Sequence, residues 1–255
     1  MRNFDVLSFG VVALIAAVLS SPCAAQQPAG LAPPKPYKPV ALTLPQPAKD
    51  TGLEAFRSRL SELAKKKDRA TLSKAVIEKN FFWERENGDG ADKKKTGIDN
   101  LATALGLNNV EGPGWDMLAG YAEDPTVSAS PGHKGVLCTP ADPVFDARAL
   151  KALLEATQTD LPEWGYPVTD GVEVRATPLE SAVPIDKLGL YFVRVLPDNT
   201  PAAAVAAYVR VVTPSGKTGY VPSDTIAPLG NDQLCYVKDG GAWKIGGYIG
   251  AGDAQ

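Results

Sequence analysis

The sequence predicts an α+β protein: a small, mostly helical N-terminal domain, then a small all-β barrel with an appended β-hairpin. Three observations carry this expectation. Between residues 51 and 160, apolar residues recur every three to four positions, the spacing of helices that bury one face. From Leu161 onward the chain breaks into short β-forming runs separated by Gly and Pro, the texture of a small barrel. Near the end, Asp239-Gly240-Gly241 stands between two further β-forming runs, the strongest short-range signal for a hairpin turn.

The chain has 255 residues, with 44% hydrophobic and 22% charged, ordinary values for a globular core. A net charge of −3 argues against a nucleic-acid surface and against attraction to anionic lipid. Residues 1–25 have the pattern of a secretory leader: Arg2, an apolar run from Val6 to Leu19, and small residues up to Ala25. A membrane anchor is the competing reading, but the run is shorter than the roughly 20 residues of a spanning helix. A lipid-modified Cys23 competes too, and Pro22 directly before it fits that poorly. The expected location is therefore periplasmic or secreted, with no stable membrane insertion once the leader is removed.

Cleavage after Ala25 leaves Cys138 and Cys235 as the only cysteines, and two thiols in an exported chain are expected to form one disulfide. Closing a loop of that length is worth roughly 4–5 kcal/mol on the chain-entropy model. A cysteine nucleophile is the competing reading and needs a base. The chain's one histidine, His133, however, lies five residues before Cys138, whereas cell-wall cysteine peptidases carry theirs well downstream of the cysteine. Residues 26–50 carry seven prolines and read as an extended spacer or, on the sharper reading, as a proline-rich ligand for a partner.

The helical domain, residues 51–160, begins with Leu53, Phe56, Leu60 and Leu63 on one stripe, with Asp50 or Thr51 as its cap. A second helix is expected from Asp68 through Leu72, Ala75, Val76 and Lys79 into Phe81-Phe82-Trp83. Lys65, Lys66 and Lys67 suit the negative end of the first helix. Residues 84–96 form a polar loop. Its Asn87, Asp89 and Asp92 suggest calcium, but Ala91 and Lys95 break the ligand spacing. Ile98, Leu101, Ala102 and Leu105 mark a third helix ended by Gly106. Trp115, Leu118, Ala119 and Ala122 mark a fourth, and Leu150, Leu153 and Leu154 a fifth that starts near Asp146. The aromatic residues Phe56, Phe81, Phe82, Trp83 and Trp115 are expected to pack this domain's core.

In the β region, residues 161–229, strands are expected at Val172–Arg175, Tyr191–Leu196, Ala207–Thr213 and Thr218–Pro222, with Pro214-Ser215-Gly216-Lys217 as the turn of a hairpin. Here the chain resembles the bacterial SH3 (SH3b-like) domains. Val174-Arg175-Ala176-Thr177-Pro178 is similar to their first block, and Val183 to Leu188 to the strand that follows. Tyr208-Val209-Arg210-Val211 stands where the family has Trp-x-x-Val, and Gly216-Lys217-Thr218-Gly219-Tyr220-Val221 is similar to its Gly-Lys-x-Gly-Trp-Val signature, with Ile226 at the closing position. Tyrosine replaces tryptophan at 208 and 220, and Ala202 to Ala206 reads as an insertion. The resemblance covers about residues 165–229. It implies an SH3-like barrel and, as partner, peptidoglycan or a cell-envelope protein. The side chains expected to meet that partner are Tyr208, Tyr220, Arg210, Lys217, Trp164 and Tyr166. Residues 230–255 supply the appended hairpin and a tail.

Signals for catalysis fail. Gly216-Lys217-Thr218 ends like a phosphate-binding loop, but Val211 stands where that loop needs glycine. No Gly-x-Ser-x-Gly elbow and no Ser-x-x-Lys pair occurs. One histidine cannot build a histidine metal site, and neither a metal nor a cofactor is expected. The expectation is a non-enzymatic binding module, with no catalytic residue. The alternative is a cell-wall hydrolase or hydrolase activator that uses carboxylates of the helical half, Glu84 and Glu86 among them.

Overall fold

A computed structural model describes residues 34–197 and 207–250. Residues 1–25, where a leader is expected, residues 26–33, Ala202–Ala206, expected as an insertion, and the last five residues lie outside the described residues. Among the described residues there are five α-helices: α1 (Thr51–Lys65), α2 (Arg69–Leu72), α3 (Gly97–Ala104), α4 (Gly114–Glu123) and α5 (Ala147–Thr157). The strands of the first half are β1 (Leu42–Thr43), β2 (Phe82–Arg85), β3 (Gly88–Asp89), β4 (Ser128–Ala129), β5 (Leu137–Thr139) and β6 (Val144–Phe145). From Trp164 onward follow β7 (Trp164–Pro167), β8 (Val172–Arg175), β9 (Pro184–Leu188), β10 (Val193–Leu196), β11 (Tyr208–Val212), β12 (Thr218–Pro222), β13 (Ile226–Pro228), β14 (Gln233–Asp239) and β15 (Ala242–Ile249). The fold is α+β.

The helices form where their stripes and caps place them. Asp50 Oδ1 accepts the Leu53 N–H at 2.9 Å, and α1 buries Leu53, Phe56, Leu60 and Ala64 on one face. α4 buries Trp115, Leu118, Ala119 and Ala122, as its spacing predicts. At Gly97 and Gly114 a Cβ would stand 1.9 Å from a backbone carbonyl, of Ile77 and Leu105 respectively, so these helix starts approach the preceding chain as only glycine allows. The second helix is shorter than its pattern suggests. After α2 and a single tighter turn at Ser73–Ala75, Val76 pairs with Ile245, and the Ile77 N–H donates to the Ile245 carbonyl. Bonding to β15 takes the chain out of the helix.

The helices pack on a six-stranded sheet of order β3-β2-β15-β14-β5-β4. Its centre is the C-terminal hairpin β14–β15, whose Leu234, Tyr236, Ile245 and Tyr248 join the helical core. This corrects the expectation of a hairpin appended to the barrel. The hairpin belongs to the first half, because β2 and β5 supply the hydrogen bonds that its two sides need. Along β2, Trp83 is buried with Phe81 before it, while Phe82 turns to the opposite face, the alternation of a strand. Cys138 of β5 and Cys235 of β14 stand directly opposite each other, Cα atoms 4.0 Å apart, and form a disulfide.

The second half is a seven-stranded antiparallel sheet of order β13-β7-β10-β11-β12-β8-β9. β7 and β8 are joined by only four residues, yet β7 bonds to β10 and β8 to β12, at opposite sides of the β10–β11–β12 meander. One segment can reach both sides only if the sheet curls, and it does so around Val174, Leu188, Val193, Val211 and Val221. β13 and β9, at the two ends, do not bond to each other. The expected barrel therefore does not close as a hydrogen-bonded sheet.

Residues 34–49 are not a free spacer, a second correction. Composition alone favours an extended, unburied stretch, but Tyr37, Val40 and Leu42 anchor it on the curled sheet and α5. The Tyr37 hydroxyl donates to the Val212 carbonyl at 2.9 Å, and the Tyr37 N–H to that of Pro214 at 3.0 Å. The strap continues through β1, which pairs with β6, to Ala48, whose N–H donates to the Pro125 carbonyl, and to the α1 cap.

Candidate functional site

In an antiparallel ladder directly opposed residues share a face. Along β11, Val209 and Val211 point into the curled core, so Tyr208 and Arg210 point outward. Arg210 stands opposite Tyr220 of β12, and Tyr220 opposite Arg175 of β8, giving an outward row Arg210–Tyr220–Arg175 across three strands. Tyr208, Arg210 and Tyr220 are all half-buried. Three of the six expected binding residues therefore share one outer face.

The cations of this row differ. Arg175 is occupied: its guanidinium donates to Glu173 Oε2 at 2.9 Å and to the carbonyls of Glu180 and Ala182, bracing the 176–183 loop. That loop carries Leu179 and Val183, 60% and 71% exposed, beside the row. Arg210 has no hydrogen-bond or ion-pair partner among the described residues. It is the one cation of the row free for a ligand.

The other three expected residues stand elsewhere. Lys217, on the hairpin turn, donates to the Ile185 carbonyl at 3.2 Å and pairs with Asp186 Oδ2 at 3.7 Å. Burial would raise the Asp186 carboxyl, but hydrogen bonds from the Lys187 N–H and the Ser215 and Thr213 hydroxyls, with the Lys217 charge, hold it below the usual range. Trp164 and Tyr166 do not face solvent; they are 1% and 5% exposed. Trp164 Nε1 donates to Thr159 Oγ1 at 2.8 Å and the ring meets Tyr37 edge-on, so the strap covers it. Tyr166 packs edge-on against Phe192, and burial, helped by the Asp142 and Asp124 charges, pushes its hydroxyl up to about 12. Both are core residues, a correction to their expected role.

The carboxylates of the alternative reading lie on the β2–β3 hairpin. Glu84 stands opposite Asp89, and its Oε1 is 2.7 Å from His133 Nε2. The His133 ring stacks on Phe82, centroids 3.7 Å apart and planes 14° from parallel. His133 is thus a partnered residue. Glu86 is exposed at the hairpin turn. Asp89 and Asp92 cap their own turns, accepting the Ala91 and Lys94 N–H groups. Among the described residues no cluster of three or more His, Cys, Asp or Glu side chains has the arrangement of a metal site. No described helix is long and apolar enough to cross a membrane.

No family model, no curated protein and no solved structure matches this chain.

Proposed function

We propose that this chain is an exported, non-enzymatic SH3-like binding protein that takes peptidoglycan or a cell-envelope protein on the outer face of β8, β11 and β12. The leader pattern and the Cys138–Cys235 disulfide support an extracytoplasmic location. Short antiparallel strands curled around one apolar core support the SH3-like reading. The observation that carries the function is the outward pair Arg210–Tyr220, with Tyr208 beside it and no internal partner for the guanidinium. A tyrosine ring offers a flat apolar face to a sugar, and an arginine offers paired donors to a carboxylate. An envelope polymer of sugars and acidic peptides presents both groups.

The test is retention by isolated sacculi. The chain without its leader should sediment with sacculi well above an albumin control and lose part of that retention at high salt, as screening shortens the reach of an exposed charge to about 3 Å at 1 M. Retention equal to albumin's at low and high salt rejects the proposal.

One observation favours a second reading, a cell-wall hydrolase or its activator: Glu84 held by His133 over the Phe82 ring. A lytic band on a sacculus zymogram, abolished by Glu84→Gln, would replace the binding proposal.

A further inference from the structure

The helical half contains a cavity of about 380 Å³ between α1, the turn at Ser73–Ala75 and the tip of the β14–β15 hairpin. That size lies within the roughly 300–1,000 Å³ range of small-molecule sites. Its wall is apolar: Phe56, Leu60 and Leu63 from α1, Ala75 opposite, and the Trp243 indole across the end. Leu63, Ala75 and Trp243 are only half-buried, so the cavity opens to solvent.

The indole wall is built in advance. Trp243 Nε1 donates to Asp50 Oδ1 at 3.3 Å, and Lys238 Nζ lies 4.8 Å from the ring centroid while pairing with Asp50 Oδ2 at 3.1 Å. The same carboxylate caps α1, so the cavity's end wall and its main helix share one anchor.

The mouth is cationic. Arg59, Lys74 and Lys244 line it, against the single acid Glu62. Lys244 is held by Asp239 at 2.8 Å, but Arg59 and Lys74 have no ion-pair partner among the described residues. An apolar wall ending in two free cations complements a molecule with an apolar body and one negative head. The volume suits a small molecule better than the face of a peptide helix.

We infer that this cavity binds a small amphiphile with a short acyl body and one anionic head, carboxylate or phosphate. The body lies on Phe56, Leu60, Leu63 and Trp243, and the head meets Arg59 and Lys74. The site is on the helical half and does not rest on the outer-face proposal above.

Calorimetry with octanoate, octyl phosphate and octylamine tests it on the full chain without its leader. Of the four tryptophans, Trp83, Trp115 and Trp164 are buried, which leaves the half-buried Trp243 as the responsive fluorophore. The expected result is saturable one-to-one binding of at least one anionic probe, at least tenfold tighter than octylamine, with a shift in tryptophan emission that Trp243→Phe removes. The arms with octanoate and octyl phosphate show which head is preferred. The surface double variant Arg59→Glu/Lys74→Glu, its fold checked by circular dichroism, should bind the preferred anion at least tenfold more weakly. No saturable binding of either anion, equal binding of octylamine, or an unchanged affinity in the folded double variant overturns the inference.

Discussion

The two large sheets of this protein are held by different chemistry. In the six-stranded sheet three two-stranded pieces, β2–β3, β4–β5 and β14–β15, are joined by partners from far apart. β14 bonds to β5 and β15 to β2, strands separated by about a hundred residues or more. In the seven-stranded sheet no pair reaches as far along the chain: β8–β9, β10–β11 and β11–β12 join consecutive strands, and β7–β10, β12–β8 and β13–β7 close shorter loops. Loop closure costs more as the loop lengthens, so the distant pairing benefits most from a covalent link. The disulfide lies there, joining residues 97 apart in sequence. The curled sheet has no cysteine. It is tied instead by the strap, through Tyr37, Val40 and Leu42 packed with Trp164, Tyr166 and Phe192. A covalent tie thus serves the long-range topology, and a packed, hydrogen-bonded tie serves the local one.

The largest expected effect tests the covalent tie. Cys138→Ala/Cys235→Ala should lower unfolding stability by about 4–5 kcal/mol in denaturant titration. Hydrogen exchange should rise first in β14 and β15. Equal acceleration in β10–β12 would show that the two sheets open as one unit and break the comparison.

The strap comes next. Tyr37→Ala removes an edge-on contact with Trp164 and hydroxyl bonds to the Val212 and Phe192 carbonyls, and should cost about 2–3 kcal/mol. Tyr37→Phe, which keeps the ring, should cost only about 1 kcal/mol. The added exchange should fall on β10 and β11, not on β14.

A smaller effect, shared by both halves, is expected in alkali. Burial raises the hydroxyls of Tyr37 and Tyr166 on the curled sheet and of Tyr121, Tyr236 and Tyr248 in the helical core. The folded state keeps these groups neutral where the unfolded chain would ionise. Their contribution is therefore full below pH of about 10 and is lost as pH rises toward the Tyr166 value of about 12. Denaturant midpoints against pH should stay level up to about 10 and then fall, less steeply in Tyr166→Phe. A decline starting below pH of about 9 would assign the limb to other groups.

Much of this was legible locally. The stripes of α1, α3, α4 and α5 follow their apolar spacing, and Asp50 caps α1. Both hairpins turn where glycine permits positive φ, 82° at Gly216 and 57° and 84° at Gly240 and Gly241. The pairing of the two cysteines followed from their number. What local pattern does not encode is partnership over distance. Nothing within Leu234–Ile245 says that its neighbours are β2 and β5. Proline dominates residues 26–50 and masks the apolar anchors Tyr37, Val40 and Leu42. At the candidate site, Tyr208, Arg210 and Tyr220 share a face because strand alternation and hairpin register put them there. Trp164 and Tyr166 obey the same alternation but lie under the strap, and a strand's own residues do not reveal what covers them. The contact between His133 and Glu84, 49 residues apart, left no trace in spacing.

The outer face is tested most directly by sacculus retention of Arg210→Glu/Tyr220→Ser beside the unaltered chain. Both side chains point away from the curled core, so thermal unfolding should change little while retention falls at least tenfold. A folded double variant retained as strongly as the unaltered chain would contradict the assignment of this face as the binding surface.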